Sequence, residues 1–213
     1  MLFDFDGVMF DVQAAMGPEA RERAVTDLLS RRKYRPRPFP ITLSVFGIHQ
    51  TLAYLAERER DHAAEAEALV SGLELDAAIT AKPTRNLDRL LAVCAATDRK
   101  VAVISDLSEY AVLATIRARG LDTHVNAVAA RQGLDLSAVD AGHTAERATD
   151  LLGVPHAACL VVSGSSGRLR RVQQAGAIGL GCECGRDPRK HLADAQTPVV
   201  SDLAVLTQAL LAP

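Results

Sequence analysis

Met1-Leu-Phe-Asp-Phe-Asp-Gly-Val-Met-Phe-Asp11 opens the chain, and its reading decides the fold. A short apolar run carries two aspartates, Asp4 and Asp6, to the place where a strand should end, and Gly7 lets the backbone turn sharply there. A carboxylate at a strand's end can attack an electrophile. A second one, two residues on and on the same side of the chain, can handle a proton or help hold a cation.

Working outward, the sequence from residue 100 alternates strands and helices. Val101-Ala-Val-Ile-Ser105 is the continuous apolar run of a buried parallel strand, followed by a helix over about 108–119 that Gly120 closes. A strand is expected near 124–129, a helix over about 143–152, a strand over 158–162 and a helix near 167–175. Short strands at 177–180 and 198–200 and a closing helix at 202–211 complete the series. Such repetition defines a doubly wound parallel sheet. Residues 12–82 read differently. They are helical and polar-faced, over about 17–31, 43–56, 60–71 and 74–80, with no convincing strand.

At 213 residues the chain fits one large domain, or a core with an inserted subdomain. Apolar residues make up 48% and charged residues 23%, ordinary for a globular chain, while the 4% aromatic content leaves Leu, Val and Ala to build the core. A formal net charge of -2 argues against nucleic acid or an anionic membrane as principal partner. No apolar run is long enough to span a bilayer, and Asp4 and Asp6 interrupt any signal peptide. Cys94, Cys159, Cys182 and Cys184 are too few and too irregular for a disulfide scaffold, so a reducing cytoplasm is the simplest compartment. Cys159 falls in an apolar strand and is assigned to the core. Cys182-Glu-Cys184 could bind a soft metal, but no second ligand pair stands near it.

The opening stretch resembles the nucleophile motif DxDGVxxD of the haloacid dehalogenase (HAD) superfamily, whose members are mostly magnesium-dependent phosphatases and phosphomutases. The resemblance spans nearly the whole chain. It implies an α/β fold, a HAD-like Rossmannoid parallel sheet formed by residues 1–11 and 83–213, with an all-helical cap over 12–82. In that family the cap closes over the active site and selects substrates. By position, Asp4 matches the nucleophile and Asp6 the acid/base, and the resemblance implies that Asp4 and the Asp6 carbonyl are the residues left to hold any metal. Asp11 matches a following acid that caps the turn or the next helix. Ser105, followed by Asp106, matches the hydroxyl residue that holds a phosphate oxygen.

Two further motifs do not match. Counting back from Leu152-Gly-Val154 places the family's lysine at about Val139, and no lysine occurs between Lys100 and Lys190. The family pattern Gly-Asp-Ser with a later Asp becomes Val161-Val-Ser-Gly-Ser-Ser-Gly-Arg168, in a register fixed by Ala175-Gly-Ala177. The metal-binding Asp is therefore Gly164, and the second acid is Arg168. Phosphate and Asp4 repel each other in a low-dielectric cleft, at a cost of several kcal/mol without intervening cations. Losing electrostatic stabilisation at one position removes about 10²–10³ in rate. No cofactor is expected; any Mg2+ is expected to bind weakly. Asp106 and Asp140 are the only obvious replacement ligands.

Arg168 could substitute for the lost apparatus. The turn Ser163-Gly-Ser-Ser-Gly167 before it can present backbone N–H groups to an anion, with Gly164, Ser165 and Arg168 as binding residues. Equally, Arg168 could pair with Asp4 or Asp6 and fill the metal's place. A degenerate phosphatase-like protein is the leading expectation. It would bind a small anionic metabolite, phosphate or carboxylate, between core and cap, with little or no turnover, and would sense, carry or partner another protein. Whether it is an enzyme is left open. One alternative uses the Asp4/Asp6 pair for acid/base or nucleophilic chemistry on a non-phosphate substrate. Another is a slow Mg2+-dependent phosphatase with displaced ligands. A dehalogenase fits less well, since those enzymes keep the lysine and would have no use for Asp6. Within the cap, Arg31-Arg-Lys-Tyr-Arg-Pro-Arg-Pro-Phe-Pro40 reads as a solvated loop, and His49 and His62 as surface or packing residues.

Overall fold

Strands β1 (Leu2–Asp4), β2 (Ala102–Ser108), β3 (Ala127–Arg131), β4 (Leu160–Ser163), β5 (Ile178–Cys182) and β6 (Val199–Val200) pair in parallel throughout, in the order β3-β2-β1-β4-β5-β6. The computed structural model describes residues 1–34, 47–136, 141–185 and 187–212. In β1, Phe3 belongs to one hydrophobic cluster with Val103 and Val162, whereas Leu2 belongs to another with Ile104 and Val161. Successive side chains of a strand point to opposite faces, so both faces of this sheet are covered and its strands must be apolar throughout. Strand order runs outward in both directions from β1. The switch point therefore falls between β1 and β4, at whose carboxyl ends a crevice opens.

Among the described residues, the chain between β1 and β2 begins with four helices, α1 (Val12–Met16), α2 (Ala20–Arg31), α3 (Gly47–Arg58) and α4 (Arg60–Thr80). Helices α2, α3 and α4 share a hydrophobic cluster that includes Val25, Leu29, Leu52, Leu55 and Val70. The two helices expected over 60–71 and 74–80 are one continuous helix. Gly72 lies inside it, since a single glycine costs a helix only about 1 kcal/mol. Helix α5 (Leu87–Ala96) and the short α9 (Arg189–Ala193) were not legible in the sequence. Helices α6 (Glu109–Ala118), α7 (Ala141–Leu152), α8 (Ser166–Gln174) and α10 (Leu203–Leu211) follow the expected alternation. The third motif's place at 137–140, including Val139 and Asp140, lies outside the described residues, as does most of the basic Pro-rich segment.

A buried charge network joins α4 to the sheet. Arg131, wholly buried at the end of β3, donates to Glu74 at 2.7 Å, to Glu67 at 2.7 Å and to the Gly133 carbonyl at 3.0 Å. Glu74, also fully buried, accepts from the Ser108 N–H at 2.8 Å and from Arg21 at 3.0 Å. Sequence reading missed this cation. It does not replace the absent lysine, because its guanidinium is turned into two glutamates.

Cys182 and Cys184 form a disulfide with a Cα–Cα distance of 5.2 Å, in place of the soft-metal ligand pair considered for them. Cys159 is core, as read, and Cys94 is a second buried thiol. No helix among the described residues is long and apolar enough to cross a membrane.

Candidate functional site

Gly7 adopts a φ of 86° just past β1, and its N–H donates to the Phe10 carbonyl at 2.7 Å. That left-handed turn is open to glycine at little cost, and it sends the chain back under Asp6. One Asp6 carboxylate oxygen accepts the backbone N–H groups of Val12 at 2.9 Å and Gln13 at 3.1 Å. Asp11 accepts from the Ala14 N–H at 3.3 Å. Both acids thus cap α1, as expected of Asp11 and not foreseen for Asp6.

A cavity of about 390 Å³ opens at the switch point. Asp4, Asp6, Asp106, Gly164, Ser165 and Arg168 all line it, so the two ends of the chain's candidate site are brought together. Ser105 is the exception. It is buried, and its hydroxyl oxygen accepts the Leu107 N–H at 3.1 Å, which closes a local turn. Asp11, Gln13, Cys184 and Gly185 also line the cavity. Of these, Gln13 and Gly185 belong to no motif singled out in the sequence.

Asp4 is engaged on both oxygens. Arg168 Nε lies 3.0 Å from Oδ1, and the Ser163 hydroxyl donates to Oδ2 at 2.5 Å. Ser163 also accepts the Ser165 N–H at 3.1 Å. Its role was legible only from register, since it stands on β4 one residue beyond the Phe3↔Val162 pair. Burial pushes the Asp4 carboxyl up to about 6; Arg168 and Ser163 pull it back, and the neighbouring Asp106 and Asp6 add to the rise. Arg168 Nη1 is buried and has no hydrogen-bond partner. His49, on α3, donates from Nε2 to the Asp106 carbonyl at 3.2 Å, and burial lowers its basicity. His62 lies against Tyr34 with ring centroids 4.8 Å apart and planes tilted by 48°, within the surface or packing role expected of it.

The donor set does not fit Mg2+ as arranged. A guanidinium holds the Asp4 edge that faces the fourth motif, and two cations cannot share that edge without strong repulsion. The acid that would stand opposite is Gly164, and a Cβ built there would lie 2.2 Å from Gly185 Cα. The turn is therefore closed to any side chain unless the backbone moves. Among the described residues, no cluster of three His, Cys, Asp or Glu side chains is placed to hold a metal. Gly164→Ala is expected to lower unfolding stability by about 1–3 kcal/mol through overpacking, read as a lower urea midpoint at unchanged slope. An unchanged midpoint would show that the Gly164–Gly185 contact yields freely.

No family model matches this sequence, and no curated protein matches it. Solved structures do. A predicted phosphatase from Clostridium acetobutylicum superposes with a TM-score of 0.72 at 13% identity, covering 99% of this chain and 96% of that one. A haloacid dehalogenase-like hydrolase from Streptococcus pneumoniae gives 0.65 at 12% identity, covering 98% and 96%. The CbbY protein of Rhodobacter sphaeroides, solved with xylulose-1,5-bisphosphate, gives 0.66 at 16% identity, covering 95% and 93%. The chain has the HAD-like fold, the scaffold on which such phosphatases are built.

Proposed function

We propose that this protein is a HAD-like scaffold in which a guanidinium has taken the metal's place, so that the cleft binds a small anionic molecule with little or no Mg2+-dependent phosphatase turnover. The single observation that carries this reading is the Arg168–Asp4 ion pair at 3.0 Å. Arg168 Nη1, buried without an acceptor, supports an anionic oxygen as the ligand's contact, because an unmet buried donor is costly. Four acids line the same cavity and Arg168 is its one cation among the described residues. A monoanion such as a carboxylate is therefore favoured over a dianionic phosphate. The helices of residues 12–80 would serve as the cap over this cleft, and the bound molecule would make the protein a sensor, carrier or partner of another protein.

Thermal shift with acetate, glycolate and inorganic phosphate tests this reading. The carboxylates are expected to raise the unfolding temperature of the wild type more than phosphate does, and Arg168→Gln is expected to abolish the rise. Equal shifts in wild type and Arg168→Gln, or none in either, would contradict it. A second reading has its own support: a carboxyl near 6 suits general acid/base work at neutral pH. Turnover of a non-phosphate substrate with a pH limb near 6, lost in Asp4→Asn, would favour that second reading.

A further inference from the structure

Cys184 lines the cavity, while its disulfide partner Cys182 is fully buried at the end of β5. The bridge spans a sequence separation of two residues. Closing so short a loop removes little entropy from the unfolded chain, so global stabilisation is a poor explanation for it. What it closes is the wall of the site. Gly185 follows directly, its N–H donating to the Cys182 carbonyl at 3.2 Å, and its Cα is pressed against Gly164. Asp187 then takes the Ser166 N–H at 2.8 Å and hydroxyl at 2.7 Å, while its own N–H donates to the Gly164 carbonyl at 3.0 Å. The segment after β5 and the turn carrying Gly164 to Arg168 are thus clasped together, with the disulfide at the base of the clasp.

We infer that Cys182–Cys184 is a thiol–disulfide exchange site whose redox state sets the geometry of the Gly164–Arg168 turn, with low-molecular-weight thiols as its co-reactants. A thiolate attacks the accessible Cys184 Sγ, the S–S bond breaks, and Cys182 leaves as a thiolate that takes up a proton. A second thiol attacks the mixed disulfide, releasing the oxidised small disulfide and the Cys184 thiol. Two electrons pass from two thiols to the protein. Cys94 and Cys159 do not compete, because both are buried and burial raises both thiols above their ordinary range. The exchange proceeds whichever ligand the cleft takes.

The test equilibrates the folded protein in glutathione buffers from oxidised to reduced, alkylates it with iodoacetamide, and maps the cysteines by mass spectrometry. Hydrogen exchange is followed in parallel over residues 163–168. Cys182 and Cys184 are expected to acquire label together as the buffer becomes reducing, with Cys94 and Cys159 unlabelled until the chain is unfolded. Exchange over 163–168 should quicken about tenfold on reduction. In Cys184→Ser it should be fast in both buffers. Labelling of the pair in every buffer would overturn the inference, as would exchange over 163–168 that is the same in both redox states of the wild type.

Discussion

Arg131→Met is expected to destabilise the protein by about 3–5 kcal/mol, because it leaves a buried glutamate short of its principal cation. Glu74 has no exposed surface, and after the substitution Arg21 and the Ser108 N–H would remain as its hydrogen-bond partners among the described residues. The effect should exceed that of any surface pair. Arg32–Glu65, for example, is exposed on both sides, and Arg32→Ala should move the urea midpoint little. A double-mutant cycle with Glu74→Gln isolates the coupling, expected at about 1–3 kcal/mol. Additive losses would show that Arg131 and Glu74 are held independently. The network matters because it fastens α4 to the ends of β2 and β3, and so fixes how the helical layer sits beside the cleft.

The second large effect belongs to Arg168→Met. Asp4 would remain buried without its counter-charge, at a cost of about 3–5 kcal/mol when ionised. The loss depends on pH in a defined direction. In the wild type the folded Asp4 carboxyl sits near 6, above the ordinary value of 3.8. Between those values the folded chain keeps a proton that the unfolded chain has released. Asp4's own contribution to stability therefore falls as pH rises through this window, by up to about 3 kcal/mol. Removing the guanidinium takes away the main influence lowering that carboxyl, so its titration should move above 6. The penalty of Arg168→Met should be full at pH 8 and much reduced at pH 5, where Asp4 is already neutral. Carboxyl 13C NMR gives the titration, and urea unfolding at the two pH values gives the stability. A penalty equal at both pH values would show that Arg168 stabilises the fold by packing and not by pairing with Asp4.

Much of this was legible from local chemistry. An apolar run ended by Asp-x-Asp-Gly places β1 and its turn, and strand–helix alternation orders the sheet. The replacement of acids by Gly164 and Arg168 left open two roles for Arg168, anion binding and pairing with Asp4 or Asp6, and the ion pair with Asp4 is present. Residues that act across the fold were not legible. Arg131 sits in an otherwise ordinary strand, and its partners are some sixty residues away on α4. Ser105 matched a motif by position, and the match did not show that its hydroxyl accepts the Leu107 N–H. The Gly164–Gly185 contact joins two turns that only the sheet order β4-β5 makes neighbours. Helix α5 went unread although Asn86, at its N-cap position, is a residue type that marks helix starts.

We propose that Arg168 has displaced metal-dependent phosphoryl chemistry from this cleft. It is tested most directly by initial rates on a broad phosphate-ester panel, with Mg2+ and with EDTA, beside Asp4→Asn. The expected result is turnover indistinguishable from the Asp4→Asn control under both conditions. Turnover that requires Mg2+ and vanishes with Asp4→Asn would contradict the claim, and would mean that Arg168 yields its place to the metal.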